Sequence, residues 1–182
     1  MNNLNIDKTN TYVVDNFMCK NFINLSDEEI RMVLEWRNAP VIRQSMYNTD
    51  EISYESHRAY IENLKDRDDR YYWLVFNEDK PFGVIDLIDV DKEERKSDFG
   101  YYIRPDAHNS GEGLQFVYAM FKFFFSLGIE ELHSSVHINN KKAIVIDKYF
   151  GSRFREEDTF EMNGEKYVPF ELPKAVFEKK FK

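Results

Sequence analysis

Residues 114–127 read LQFVYAMFKFFFSL, carry a single charge at Lys122, and are bracketed by Gly113 and Gly128. This run falls short of the ~18 apolar residues a membrane-spanning helix needs. It therefore reads as a helix of a protein core, stopped by Gly128. With 182 residues, 42% hydrophobic and 16% aromatic, the chain can build one domain with a real core, and no repeat, linker or composition break marks a second. The start MNNLNIDKTN lacks the basic-then-apolar order of a signal peptide, so residues 1–10 read as a flexible N-terminus and the expected location is cytoplasmic. Cys19 is the lone cysteine, which excludes an internal disulfide and suggests a small buried hydrophobe. Net charge is −8, and basic residues are dispersed except in the tail FEKKFK. Neither nucleic acid nor a membrane is an expected partner.

The rest of the chain alternates strand and helix signals. Residues 11–24, TYVVDNFMCKNFIN, look like a strand entering a turn. Ser26 and Glu29 form a capping box for a first helix running to about Asn38, before Pro40. Ser53 caps a second helix, with Tyr54, His57, Ile61 and Leu64 at helical spacing. YYWLVFN and FGVIDLIDV should form a hairpin around Glu78-Asp79-Lys80-Pro81, followed by a strand SDFGYYIRP. The expected order is a strand, two helices, three antiparallel strands, the long helix, a strand, a helix and final strands. That is an α/β (α+β) unit with a mostly antiparallel sheet.

Between the third of those strands and the long helix stands Asn109-Ser110-Gly111-Glu112-Gly113. Glycines here let the chain approach a ligand closely, and the amides at a helix start together with the dipole favour an anion. The loop is not a Walker loop, since the Lys-Ser/Thr ending is absent, and a plain tight turn would use the same residues.

Strand, glycine loop, helix, a strand ending at Asn139-Asn140, and a helix containing Ala143-Ile144 together resemble the acetyl-coenzyme A core of the GNAT superfamily of N-acetyltransferases. The resemblance spans roughly residues 11 to 172. It implies a GNAT fold with a splay between strands at the cofactor site. The family loop Gln/Arg-x-x-Gly-x-Gly/Ala falls on His108 to Gly113, with both glycines kept and His108 in place of Gln or Arg. The resemblance implies acetyl-coenzyme A contacts from Phe99, Tyr101, Tyr102 and Ile103 on the strand, and from His108, Asn109, Ser110, Gly111, Glu112, Gly113 and Leu114 at the loop. Asn140 and Ala143 join them from the next helix. Glu112 must point away from the anion. No metal is expected.

Transfer of acetyl from a thioester to an amine needs a neutral amine near the carbonyl and a donor for the oxyanion. Backbone groups of Tyr101 and Tyr102 are the oxyanion candidates, since a splay frees amides there. The family's usual proton donor is a tyrosine at the seventh position after the leading asparagine of the last core helix. Counting from Asn140 reaches Asp147, while Tyr149 lies about 200° further round a regular helix. Tyr149 is preferred because a phenol carries its proton at pH 7; Asp147 needs an apolar setting, and solvent is the third option. The base candidates are His57, Asp86, Asp89, Asp98 and His137. His133, Ser135 and His137 share one strand face, but no carboxylates stand at a recognisable metal-ligand spacing from the two histidines.

The acceptor side falls on the two early helices and the hairpin. Leu34-Glu35-Trp36-Arg37-Asn38, Met46-Tyr47 and His57 are similar to the GNAT enzymes of the pseudaminic acid pathway, which acetylate a UDP-linked deoxy-amino sugar. The segments GVIDLIDVD, DFGYYIRP and INNKKAI fit the same comparison. This implies substrate contacts from Arg37, Asn38, Met46, Tyr47, His57 and Asp86, with Arg37 on a diphosphate or uracil and Met46, Tyr47 and Tyr101 flooring the deoxysugar. The alternative acceptors are a protein N-terminus or a small amine, and a third reading is a non-catalytic acyl-coenzyme A-binding module. A homodimer is compatible with each.

Overall fold

The structure is a computed structural model that describes residue 4 and residues 6–182. Part of the expected flexible N-terminus, residues 1–3 and 5, lies outside the described residues. Leu4 and Ile6 pack against the core, and Lys8 donates to the carbonyl of Leu64 at 2.6 Å.

Strands β1 (Thr11–Val14) and β2 (Phe17–Asn21) form a hairpin in place of the single strand expected over 11–24. Asp15 adopts a left-handed φ of 55° and reverses the chain there, a conformation Asp tolerates better than most residues. Helix α1 (Asp27–Asn38) starts at the expected capping box, with the Ser26 side chain accepting from Glu29 N–H and Glu29 accepting from Ser26 N–H. Pro40 ends it as expected but also begins a short helix, α2 (Pro40–Arg43). Proline's fixed φ and missing N–H suit the first helical position. Helix α3 (Tyr54–Asn63) follows its Ser53 cap and buries His57 and Ile61.

Strands β3 (Tyr71–Asn77), β4 (Lys80–Asp91) and β5 (Lys96–Ile103) form the expected antiparallel meander. Helix α4 (Gly113–Ser126), β6 (Glu131–His137) and α5 (Lys141–Phe150) follow in the expected order. The chain closes with β7 (Arg153–Phe154), β8 (Phe160–Met162), β9 (Glu165–Pro173) and α6 (Lys174–Lys180). The basic tail thus adds a helix after the expected final strands, because Phe177 and Phe181 are four residues apart and meet the same aromatic cluster.

The sheet order is β1-β2-β3-β4-β5-β6-β9-β7, with β8 on β9. β5 and β6 run parallel, and every other pairing among the described residues is antiparallel. Helices α1 and α3 cover one face, where Phe22, Ile30, Val33, Ile61 and Leu64 meet Leu74, Phe76 and Val84. Helix α4 covers the other face. Its apolar run buries Phe116, Phe121, Phe123, Phe124 and Phe125 against Trp73, Ile85, Leu87, Phe99 and Leu132. Phe121 also meets Phe99 at 5.4 Å, Phe150 at 5.3 Å and Phe177 at 5.9 Å between ring centroids. One ring therefore ties α4 to the sheet, α5 and α6. Phe121→Ala is expected to cost about 3–5 kcal/mol by chemical denaturation; a loss under about 1 kcal/mol would mean that the cluster closes over the gap.

Candidate functional site

β5 and β6 pair at Lys96↔Glu131, Ser97↔Leu132 and Asp98↔His133, and there the pairing stops. Beyond it β5 stays on β4 as far as Gly83↔Ile103, while β6 runs with β9 as far as His137↔Tyr167. The sheet opens into a wedge, with the β5 edge from Phe99 to Ile103 exposed over about 13 Å. The Arg104 N–H donates to the Phe82 carbonyl at 2.9 Å. Alternation along the ladder then turns the Tyr102 amide toward β4 and the Tyr101 amide into the wedge. Of the two backbone oxyanion candidates, Tyr101 is the one with its N–H on the open side.

At the wide end of the wedge the chain turns through Pro105–Ala107 and residues 108–112 into α4. Gly111 has a φ of 84°, and a Cβ there would meet nothing within 4 Å, so its glycine serves the backbone conformation and leaves the outer side open. No side chain caps α4, so its first amides face outward unpaired. Leu114 is exposed beside them. Glu112 does turn away, accepting from Asn77 Nδ2 at 2.9 Å. His108 donates from Nε2 to the Ile103 carbonyl at 3.0 Å and so braces the join between strand and loop. Lys142 Nζ stands 3.5 Å from the His108 carbonyl and adds a cation beside the loop. Asn109 and Ser110 are exposed. Asn140 caps α5, its side chain accepting from the Ala143 N–H at 3.1 Å, so these two expected contact residues bond each other.

The two faces of β5 differ in chemistry. Tyr101 points to the α4 side, 6.2 Å from Phe116 between ring centroids. Burial and the Asp147 carboxylate both push its phenol up. It therefore does not join Met46 and Tyr47 as a floor for a sugar, because period-two alternation puts it on the opposite face from Tyr102 and Gly100. Asp147 is buried, its Oδ1 has no hydrogen-bond partner, and burial pushes it up to about 7. Tyr149 is half exposed on the far side of α5, with Lys180 4.6 Å above its ring and Phe181 5.9 Å away. The preferred proton donor of the sequence reading thus faces α6, and its rival faces Tyr101. The cause is the roughly 100° per residue of a regular helix.

On the other face, Asp86 stands opposite Gly100. A Cβ at Gly100 would come within 2.9 Å of Asp86 Oδ2, so the glycine makes the niche for this carboxyl. Burial raises Asp86 to about 7, while the Gly100 N–H and the charge of Arg70 pull it down. Tyr72 and Tyr102 share the recess, since Asp86 raises both phenols on top of burial. Tyr60 donates to the Tyr72 hydroxyl at 3.0 Å. Arg37 Nη2 donates to the Asn48 carbonyl at 2.8 Å; Nη1 is buried without a hydrogen-bond partner, as is His57 Nε2, while Arg70 Nε lies 3.7 Å from the Asp69 carboxylate. Burial lowers both Arg37 and His57. Asn38 clamps the following loop instead, exchanging two bonds with the Ile52 backbone at 2.8 and 2.9 Å. Met46 closes the turn after α2 through its N–H to Arg43. Tyr47 reaches across to β6 and β9, touching the Ser135 hydroxyl and lying 5.0 Å from the Tyr167 ring.

The other base candidates are placed less well. Asp89 is exposed and 3.6 Å from Arg70, and Asp98 is exposed beside His133. His137 has both ring nitrogens engaged: Nε2 lies 2.7 Å from Glu165 and Nδ1 accepts from the Asn139 N–H at 3.1 Å. Glu131 and Glu171 stand beside His133, their ligand atoms all within 4.8 Å. Cross-strand pairing of His133 with Glu171 brings this carboxylate in, which linear spacing did not reveal. Glu131 is also 3.6 Å from Lys96. Gly100, Tyr72, Tyr60 and Arg70 were missed by the sequence reading. A glycine inside a strand marks a close approach, and Gly100 was the available signal.

The Asp147 environment has a consequence for stability. Between the ordinary carboxyl range and about 7 the folded protein holds a proton that the unfolded chain has lost, so stability falls as pH rises through that window and levels off above it. The melting temperature of Asp147→Asn minus that of the wild type should therefore climb from pH 4 to pH 7 and stay flat to pH 9. A constant difference would show that Asp147 titrates normally.

Residues 21–151 match the family described as Acetyltransferase (GNAT) domain. The chain is 34% identical over 125 residues to acetyltransferase PseH of Campylobacter jejuni serotype O:2, covering 69% of this chain and 77% of that protein. The crystal structure of C. jejuni PseH with acetyl coenzyme A superimposes with a TM-score of 0.65 at 24% identity, over 87% of this chain and 99% of that one. Spermidine N-acetyltransferase from Vibrio cholerae, solved with CoA and spermine, gives 0.79 at 15% identity over 90% and 98% of the two chains. Among the described residues no helix is long and apolar enough to cross a membrane.

Proposed function

Because the chain belongs to the GNAT acetyltransferase family, we propose that it forms one domain that transfers acetyl from acetyl-coenzyme A to the amino group of a UDP-linked deoxy-amino sugar. The observation that carries the donor half is the wedge with an uncapped glycine loop at its mouth. Outward amides of α4 take the pyrophosphate, and the free edge of β5 pairs with the pantetheine arm. The thioester carbonyl then meets the Tyr101 N–H.

Asp86 takes a proton from the acceptor ammonium. The amine nitrogen attacks the carbonyl carbon, and the Tyr101 amide donates to the oxyanion of the tetrahedral intermediate. The C–S bond breaks, the leaving thiolate takes the proton held by Asp147, and the nitrogen gives its second surplus proton to solvent to leave the neutral amide. Both carboxyls then exchange with solvent, and no covalent enzyme intermediate forms. Asp147 replaces Tyr149 as the preferred acid because burial raises it to about 7, so that a large fraction holds a proton at neutral pH, and it faces Tyr101. His137 drops out because neither ring nitrogen is free.

The acceptor half rests on likeness to PseH and on the recess lined by Arg37, His57, Tyr72 and Asp86. The unpartnered Arg37 Nη1 suits an anionic diphosphate. Thiol release is to be measured with acetyl-coenzyme A and a UDP-amino-sugar, a polyamine or an N-terminal peptide. The expected outcome is a kcat/KM at least about tenfold higher for the UDP-sugar, a difference of roughly 1.4 kcal/mol. Preference for the polyamine would move the acceptor to the small amines, and release with none of them would leave a binding module. Asp147→Asn should lower kcat by about 10²-fold or more and Tyr149→Phe by less than about threefold, with acetyl-coenzyme A affinity held in both. The reverse ranking would restore Tyr149.

A further inference from the structure

We infer that Asn77 is a positioning residue that keeps the Glu112 carboxylate out of the phosphate cradle. The inference rests on the cradle reading above. Glu112 immediately precedes α4, where the helix dipole and the unpaired first amides attract negative charge. A carboxylate in that position would occupy the amides and repel a diphosphate. Here it makes no such bond. Its Oε1 accepts from Asn77 Nδ2 at 2.9 Å, and Asn77 Oδ1 in turn accepts from Asn16 Nδ2 at 2.6 Å.

The geometry of this chain of amides is fixed at both ends. Asn77 ends β3, paired with Phe17 on one side and Lys80 on the other. Asn16 sits in the turn between β1 and β2. Asn16 can donate to Asn77 only through the Asn77 carbonyl oxygen, which orients the amide so that its NH₂ points at Glu112. Among the described residues no lysine or arginine pairs with Glu112. A neutral amide thus turns the carboxylate without bringing a cation that would itself hold a phosphate elsewhere. The turns of two hairpins, far from α4 in sequence, set the charge seen at its N-terminus.

Acetyl-coenzyme A affinity by calorimetry on the full chain tests this. At low salt Asn77→Ala should raise Kd by about three- to tenfold, and the effect should shrink toward unity at about 0.5 M salt, as a like-charge repulsion does. Glu112→Gln should tighten binding, and the double variant Asn77→Ala/Glu112→Gln should return to the affinity of Glu112→Gln alone. A Kd unchanged in Asn77→Ala, or a double variant as weak as Asn77→Ala, overturns the inference; in the second case Asn77 acts through the turns. Gly111→Val separates the two levels. It should cost tenfold or more, and normal binding by that variant would remove the cradle itself.

Discussion

The parallel pairing of β5 and β6 ends at Asp98↔His133, and the layout of the candidate site depends on that end. Beyond that end each strand stays paired on its outer edge alone. β6 has seven antiparallel partners on β9, from Glu131↔Pro173 to His137↔Tyr167, and β5 keeps β4 beside it to Ile103. Those ladders use the outer edges and hold both strands extended, so the two facing edges are left with backbone groups that have no strand partner. The exposed β5 edge is therefore part of the fold, and an extended ligand with its own amides is what completes it.

Alternation along that one edge then sorts the chemistry. Tyr101 faces α4 and α5, and with them Asp147; Gly100 and Tyr102 face the opposite recess, and with them Asp86. Two carboxyls, each raised to about 7 by burial, stand on the two sides of the strand against which acetyl transfer is proposed to occur. A carboxyl in that range can hold a proton or accept one at neutral pH. Which of these each does is decided by which reactant shares its side of the sheet.

Much of this was legible in the sequence. Local rules sufficed for the capping box at Ser26, the meander from Tyr71 to Ile103, and the helix between the glycines, because each rests on neighbours a few residues apart. The glycine loop and the need for Glu112 to turn away were legible too, but the partner that turns it, Asn77, lies 35 residues earlier. The hairpin at Asp15 depends on a single left-handed residue, and α6 on burial of Phe177 against helices folded elsewhere. Tyr149 was favoured on its chemistry alone. Its direction is set by the packing of α5 on α4 and α6, through contacts such as Phe150 with Phe121 and Phe177, which no periodicity assigns.

The central claim is that two carboxyls on opposite sides of β5, Asp147 buried and Asp86 half-buried, run the proton transfers, and the pH dependence of kcat/KM tests it most directly. Asp86 must be ionised and Asp147 protonated, so the profile should be a bell centred near pH 7, falling toward acid as Asp86 gains its proton and toward alkali as Asp147 loses it. Asp147→Asn should abolish the alkaline arm and keep the acid one. A profile that is flat from pH 6 to pH 8, or an alkaline arm that survives in Asp147→Asn, would contradict the account.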